Sequence, residues 1–137
     1  MATTPHEGGC LCRAVRYRIT GQPVALSLCH CQTCRLAAGS PSVAWAVWRE
    51  EDFNWIEGSP ASYTSSPGVT RTFCGRCGTP LTYQNAVDER GTIDVTTVSL
   101  DQANDFAPTI EIWTEHKLTW EVINPSMRQY PRSSKNA

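Results

Sequence analysis

Hydrophobic positions along this chain recur mainly at a spacing of two, and helical spacing is scarce. Val15, Tyr17 and Ile19 alternate with Arg16 and Arg18, which predicts a strand over residues 9–20 with both arginines on its solvated face. Residues 42–48 are apolar on both faces: Val43, Trp45 and Val47 point one way, Ala44, Ala46 and Trp48 the other. That is the pattern of a central strand. Ile93/Val95 and Ile110/Ile112 mark alternating runs over 92–98 and 109–115. Shorter strands are predicted at 24–28, 53–56, 62–65, 69–73 and 81–83, several bounded by Gly58, Pro60, Pro67 and Gly68. One short helix, Gln32–Ala38, is expected to stop at Gly39. Residues 1–7 read as a loose start with His6 solvated, and the tail as frayed beyond Tyr130. The expectation is a mainly β chain, one domain over 1–137 with its core at about 8–130.

Composition narrows the function classes. At 137 residues the chain has the length of one modest core, and its net charge of −1, with both signs scattered, argues against a nucleic-acid face. No apolar run approaches a membrane span, and residues 1–9 lack a signal-peptide core, so a soluble cytoplasmic protein without a membrane partner is expected. Seven cysteines change the picture most. Their number is odd and their spacings short, which in a reducing compartment points to metal binding or catalysis rather than a disulfide frame.

Cys29-His30-Cys31-Gln32-Thr33-Cys34 concentrates three thiols in six residues. At a strand end Cys29 and Cys31 share a face, and Cys34 falls in the first turn of the helix, where unpaired N–H groups favour thiolate. Such a trio grips one soft ion and leaves a fourth position for water, a substrate thiol or a distant histidine, as a catalytic zinc requires. His30 points to the opposite strand face, and His116 reads as a surface or packing residue. Cys74-x-x-Cys77-Gly78 has the form of a zinc knuckle, and Cys10 and Cys12 supply a same-face pair to close it as a structural four-thiolate site. Iron is the rival for four thiolates, and seven thiols plus a histidine in two closed sites would make the chain purely structural. Backbone N–H groups at the helix start are candidate donors to a developing alkoxide. Arg35 is a carboxylate partner or a solvated charge, and Trp45 and Trp48 are pocket walls or core.

Cys10-Leu11-Cys12, Cys29-His30-Cys31-x-x-Cys34-Arg35 with Gly39 beyond, and Phe73-Cys74-x-x-Cys77-Gly78-Thr79 come in the order of one family, with Ser99-Leu100-Asp101, Pro108 and Trp120 behind them. The chain resembles the glutathione-dependent formaldehyde-activating enzymes, a group that includes centromere protein V. Arg13 departs from the pattern, standing where many relatives have glycine. The resemblance implies a β-tent of antiparallel sheets and two Zn2+ per chain. Cys10, Cys12, Cys74 and Cys77 would hold the structural zinc, and Cys29, Cys31 and Cys34 the catalytic one. It also implies a carbon–sulfur lyase run in reverse, joining a small thiol such as glutathione to a small aldehyde such as formaldehyde. Two other classes compete: a non-catalytic zinc-stapled binding module, and a metal-dependent hydrolase, for which the sequence offers no obvious glutamate base beside the cluster.

Overall fold

A computed structural model describes residues 5–88 and 90–134. Its strands are β1 (His6–Gly9), β2 (Arg16–Ile19), β3 (Ala25–Cys29), β4 (Val43–Arg49), β5 (Phe53–Glu57), β6 (Ala61–Ser66), β7 (Val69–Phe73), β8 (Pro80–Asn85), β9 (Thr92–Thr96), β10 (Ile110–Ile112) and β11 (Arg128–Gln129), with helix α1 at Gln32–Ala38. Strands β1, β2 and β5 form a three-stranded sheet; the other eight form a second sheet in the order β11-β10-β3-β4-β9-β8-β7-β6. The fold is mainly β with one α-helix among the described residues, as the periodicity predicts.

The alternation in β4 divides the interior in two. Ala46 and Trp48, both fully buried, join Tyr17 and Ile19 of the small sheet, Leu81, Val95 and Phe106 in the larger core. Each large aliphatic or phenyl side chain among them, taken fully from water, contributes about 1.5–3 kcal/mol. Val43 and Trp45, on the other face, pack with Cys29, Cys34, Tyr83, Ile112 and Trp113. The second core includes two of the three clustered thiols, Cys29 and Cys34. Trp48 is therefore part of the larger core, and Trp45 packs beside the clustered thiols.

Several local expectations are corrected. The strand expected over 9–20 is reduced to Arg16–Ile19, because the chain leaves β1 at Gly9 and turns between Cys10 and Val15. The Cys10 N–H donates to the Val15 carbonyl (3.1 Å) and the Arg13 N–H to the Cys10 carbonyl (3.1 Å). Arg13 sits there at φ 67°, a left-handed conformation that glycine adopts more readily. Arg16 is buried rather than solvated, and its guanidinium donates to Asp101 at 3.0 and 2.5 Å. Arg18 stays half-exposed and pairs with Glu7 (2.8 Å). His6 is not loose: it lies in β1 with its ring edge-on to Phe106, centroids 4.9 Å apart. The run expected over 92–98 ends at Thr96, and that over 109–115 shrinks to Ile110–Ile112 because Trp113 turns to φ 57°. Pairing is not wholly antiparallel, since β10 runs parallel to both β3 and β11. The tail is held past Tyr130, where the Arg132 carbonyl accepts from the Trp113 N–H (3.1 Å). Of the loose start and the frayed tail, residues 1–4 and 135–137 lie outside the described residues. No helix among the described residues is long and apolar enough to cross a membrane.

Candidate metal centres

Cys10 and Cys12 stand on the turn between β1 and β2, and Cys74 and Cys77 on the turn between β7 and β8. The four sulfurs lie within 4.8 Å of one another, with Cys10–Cys12 at 3.6 Å and Cys12–Cys74 at 3.7 Å. An ion with tetrahedral metal–sulfur bonds of about 2.3 Å sets its sulfurs about 3.8 Å apart, so the donor set fits such an ion. Backbone N–H groups already aim at the sulfurs. Arg76 and Cys77 both donate to Cys74 Sγ, and Val15 donates to Cys10 Sγ, each at 3.3 Å. The turn closes through Gly78, at φ 84°, whose N–H donates to the Cys74 carbonyl (2.8 Å). Thr79 ties the two halves: its hydroxyl meets Cys77 Sγ (3.3 Å) and accepts from the Leu11 N–H (3.0 Å). Its hydrogen bonds hold the Cys77 thiol down at about 5.

Cys29, Cys31 and Cys34 form the second cluster, again within 4.8 Å. Cys29 ends β3, Cys31 caps α1, and Cys34 lies in the helix's first turn, as the spacing suggests. The helix stops at Gly39, φ 63°, whose N–H donates to the Arg35 carbonyl. Hydrogen bonding with Cys29 and Cys34 lowers Cys31 to about 2, while contacts with Cys31 and Cys34 push Cys29 far above the ordinary thiol range. Three sulfurs this close cannot all ionise without a cation among them. All seven cysteines are free thiols.

The helix start is less available than its sequence suggests. The Cys34 N–H donates to Cys31 Sγ (3.3 Å) and the Arg35 N–H to the Cys31 carbonyl (3.0 Å). His30 does turn away from the sulfurs, and its imidazole is fully buried against Glu111. His116 reaches the cavity wall but joins no cluster of ligand atoms among the described residues; its ring tilts against Trp113, centroids 5.6 Å apart. Arg35 does not line the cavity, and its Nε is buried without a hydrogen bond.

A cavity of about 520 Å³ opens over the three-thiol cluster. Its floor is one face of the large sheet, where Arg71 of β7, Tyr83 of β8 and Asp94 of β9 lie side by side in one register row. The Arg71 guanidinium stands 3.7 and 3.8 Å from Cys34 Sγ and 5.0 Å over the Tyr83 ring, with its Nε held by Ser65 Oγ (3.1 Å). Neither Arg71 nor Asp94 is marked by any motif. The strand register alone brings a cation to the thiols and a carboxyl to the cavity beside them.

The geometry defines a mainly β protein with two cysteine clusters positioned to hold metal ions, one closed by four thiols and one a thiol short. The sequence profile of the glutathione-dependent formaldehyde-activating enzymes matches residues 5–116, and the chain belongs to that family. It is 37% identical over 76 residues to an uncharacterized lyase of Schizosaccharomyces pombe, covering 56% of this chain and 55% of the relative's length. A solved structure of a Rhodobacter sphaeroides protein superimposes with a TM-score of 0.61 at 17% identity, over 90% of this chain and 98% of that one. The last likeness speaks to the fold.

Proposed function

We propose that this chain is a zinc-dependent carbon–sulfur lyase-type enzyme, of one domain, that joins a small thiol to a small aldehyde in a reducing compartment such as the cytoplasm. Glutathione and formaldehyde are the pair the family name suggests. Cys10, Cys12, Cys74 and Cys77 would hold a structural zinc, and Cys29, Cys31 and Cys34 a catalytic one. The observation that carries the reading is the contrast between the two clusters. Four thiols close the first, while three thiols leave the second incomplete where it meets a 520 Å³ cavity.

A zinc ion bound by three thiolates supplies Lewis acidity that favours the ionised form of a fourth, substrate thiol. The protein's own residues account for the rest. Arg71, beside Cys34, offsets the negative charge that accumulates when a further thiolate joins three others. Trp45, packed at 6.0 Å centroid distance against Tyr83, and Trp113 wall the site with apolar surface that restricts water. In this pocket the substrate sulfur attacks the carbonyl carbon, the C=O π pair moves to oxygen, and that oxygen takes up one proton. No redox change occurs.

Cobalt replacing zinc tests the reading, because thiolate charge-transfer absorption reports ligands directly. Glutathione should shift that band on binding near neutral pH, whereas S-methylglutathione, with no thiol to ionise, should not. Formaldehyde with glutathione should reach S-hydroxymethylglutathione faster than the uncatalysed mixture, followed by NMR exchange. Should neither glutathione, cysteine nor other small thiols perturb the cobalt spectrum, the enzyme reading fails and the non-catalytic binding module replaces it.

A further inference from the structure

Thiol–aldehyde addition moves one proton from sulfur to the new hydroxyl oxygen, and neither the thiol trio nor Arg71 is suited to carry it. Asp94 is. It lies in the middle of β9, opposite Val47 of β4 and Tyr83 of β8, and its side chain enters the floor of the same cavity that the three thiols border. A carboxyl in a sheet interior is ordinarily there to satisfy a partner. Among the described residues no hydrogen bond or ion pair engages this one. The neighbouring cations are committed elsewhere, Arg71 to Ser65, Cys34 and Tyr83, and Arg90 to Asp88 at 3.8 Å.

We propose that Asp94 is the proton carrier of the reaction: its carboxylate takes the proton of the incoming thiol, and the resulting acid delivers it to the aldehyde oxygen. This rests on the thiol–aldehyde addition proposed above. The balance closes within one turnover. The S–H bond breaks toward Asp94, the sulfur pair forms the S–C bond, and the π pair on oxygen receives the Asp94 proton, which returns the carboxylate to its starting state. A carrier of this kind works best when it holds and releases its proton near the working pH. Burial pushes the Asp94 carboxyl up to about 7; Cys34 and Asp88 add to the rise, and Arg90 and Arg71 oppose it. Tyr83, which separates it from Arg71, stays a neutral phenol, since burial raises its pKa further from neutrality.

The test compares zinc-loaded wild type with Asp94→Asn, which keeps the shape of the protonated acid but carries no transferable proton, and with Asp94→Glu. Rates of glutathione–formaldehyde exchange by NMR should show a limb near pH 7 in wild type, lost in Asp94→Asn together with about 100-fold or more in rate, and restored in part by Asp94→Glu. Glutathione should still shift the cobalt spectrum of Asp94→Asn, which separates proton transfer from binding. Infrared difference spectra of the resting wild-type protein give a second readout: a carboxylic-acid C=O band, absent in Asp94→Asn, should vanish as pH rises through about 7. A wild type that accelerates no addition overturns the proposed function itself. An active wild type whose Asp94→Asn variant keeps both rate and limb overturns the carrier alone. So does an Asp94 band that is already gone just above the ordinary carboxylate range of about 4.

Discussion

His30 Nε2 donates to Glu111 Oε1 at 2.7 Å, with both side chains fully shielded from solvent. The histidine sits between two thiols of the open cluster, and the glutamate sits on β10. The pair therefore bolts the β3–α1 junction to the strand beside it, alongside the His30 N–H to Ile112 carbonyl bond (3.1 Å). The same carboxylate also accepts from the Asn124 N–H (2.7 Å) and Gln129 Nε2 (2.9 Å), so it collects the C-terminal segment as well.

Glu111→Gln keeps the volume but faces three donors with a fourth, its own amide. One buried donor then loses its acceptor, at a cost of about 1–3 kcal/mol. Urea unfolding should show that loss. Chelator competition should show faster release of metal from the Cys29/Cys31/Cys34 cluster and unchanged release from the four-thiol cluster. Equal effects on both would mean that the pair does not position the cluster beside it.

Cys74→Ser and Cys34→Ser should part company. Cys74 belongs to a cluster joining two turns far apart in sequence, and a closed metal site contributes folding free energy directly, so its loss should lower stability by several kcal/mol. Cys34 belongs to a local trio, and its replacement should cost about 1 kcal/mol while abolishing activity and the more labile metal. Elemental analysis and thermal melts decide it. Comparable unfolding in both variants would make both clusters structural.

Hydrogen bonding from Arg16 lowers the pKa of Asp101. A carboxyl depressed in the folded state adds stability above its unfolded pKa and loses it as pH falls through the folded one. Asp101→Asn should therefore melt a few degrees below wild type at pH 7, where buried Arg16 is left with Glu7, at 3.8 Å, as its one carboxylate partner among the described residues. That gap should narrow in acid, where wild type loses the same contribution. Because both proteins share the thiol clusters, acid release of metal cancels in the difference. A gap independent of pH would assign the effect to packing.

Local chemistry was the readable part of this chain. C-x-C and C-x-x-C spacings group the seven thiols, Gly39 does stop the helix, and the two-faced run through Trp45 and Trp48 does form a central strand. What escaped depends on register between distant segments. Arg16 looks like a solvated alternation partner until Asp101 arrives from 85 residues away. Arg71 and Asp94 each sit among alternating polar and apolar residues, as surface charges do, and only the pairing of β7 with β8 and β8 with β9 turns them toward the thiols. The turn at Arg13 was hidden for another reason. Its left-handed backbone falls on a residue type that carries no turn signal.

The unequal reach of the two clusters has a consequence for how the protein is made. Forty-three positions separate Cys34 from Cys77, and at about 5–20 residues per second a ribosome takes several seconds to deliver them. For nearly all of that interval five of the seven thiols are out, the trio complete and Cys10 and Cys12 still waiting for their partners. A nascent chain can thus load the cluster that holds least together before the one that holds most. The waiting pair depends on ambient reductant, and on a metal supply that does not bridge the wrong sulfurs, until the knuckle emerges.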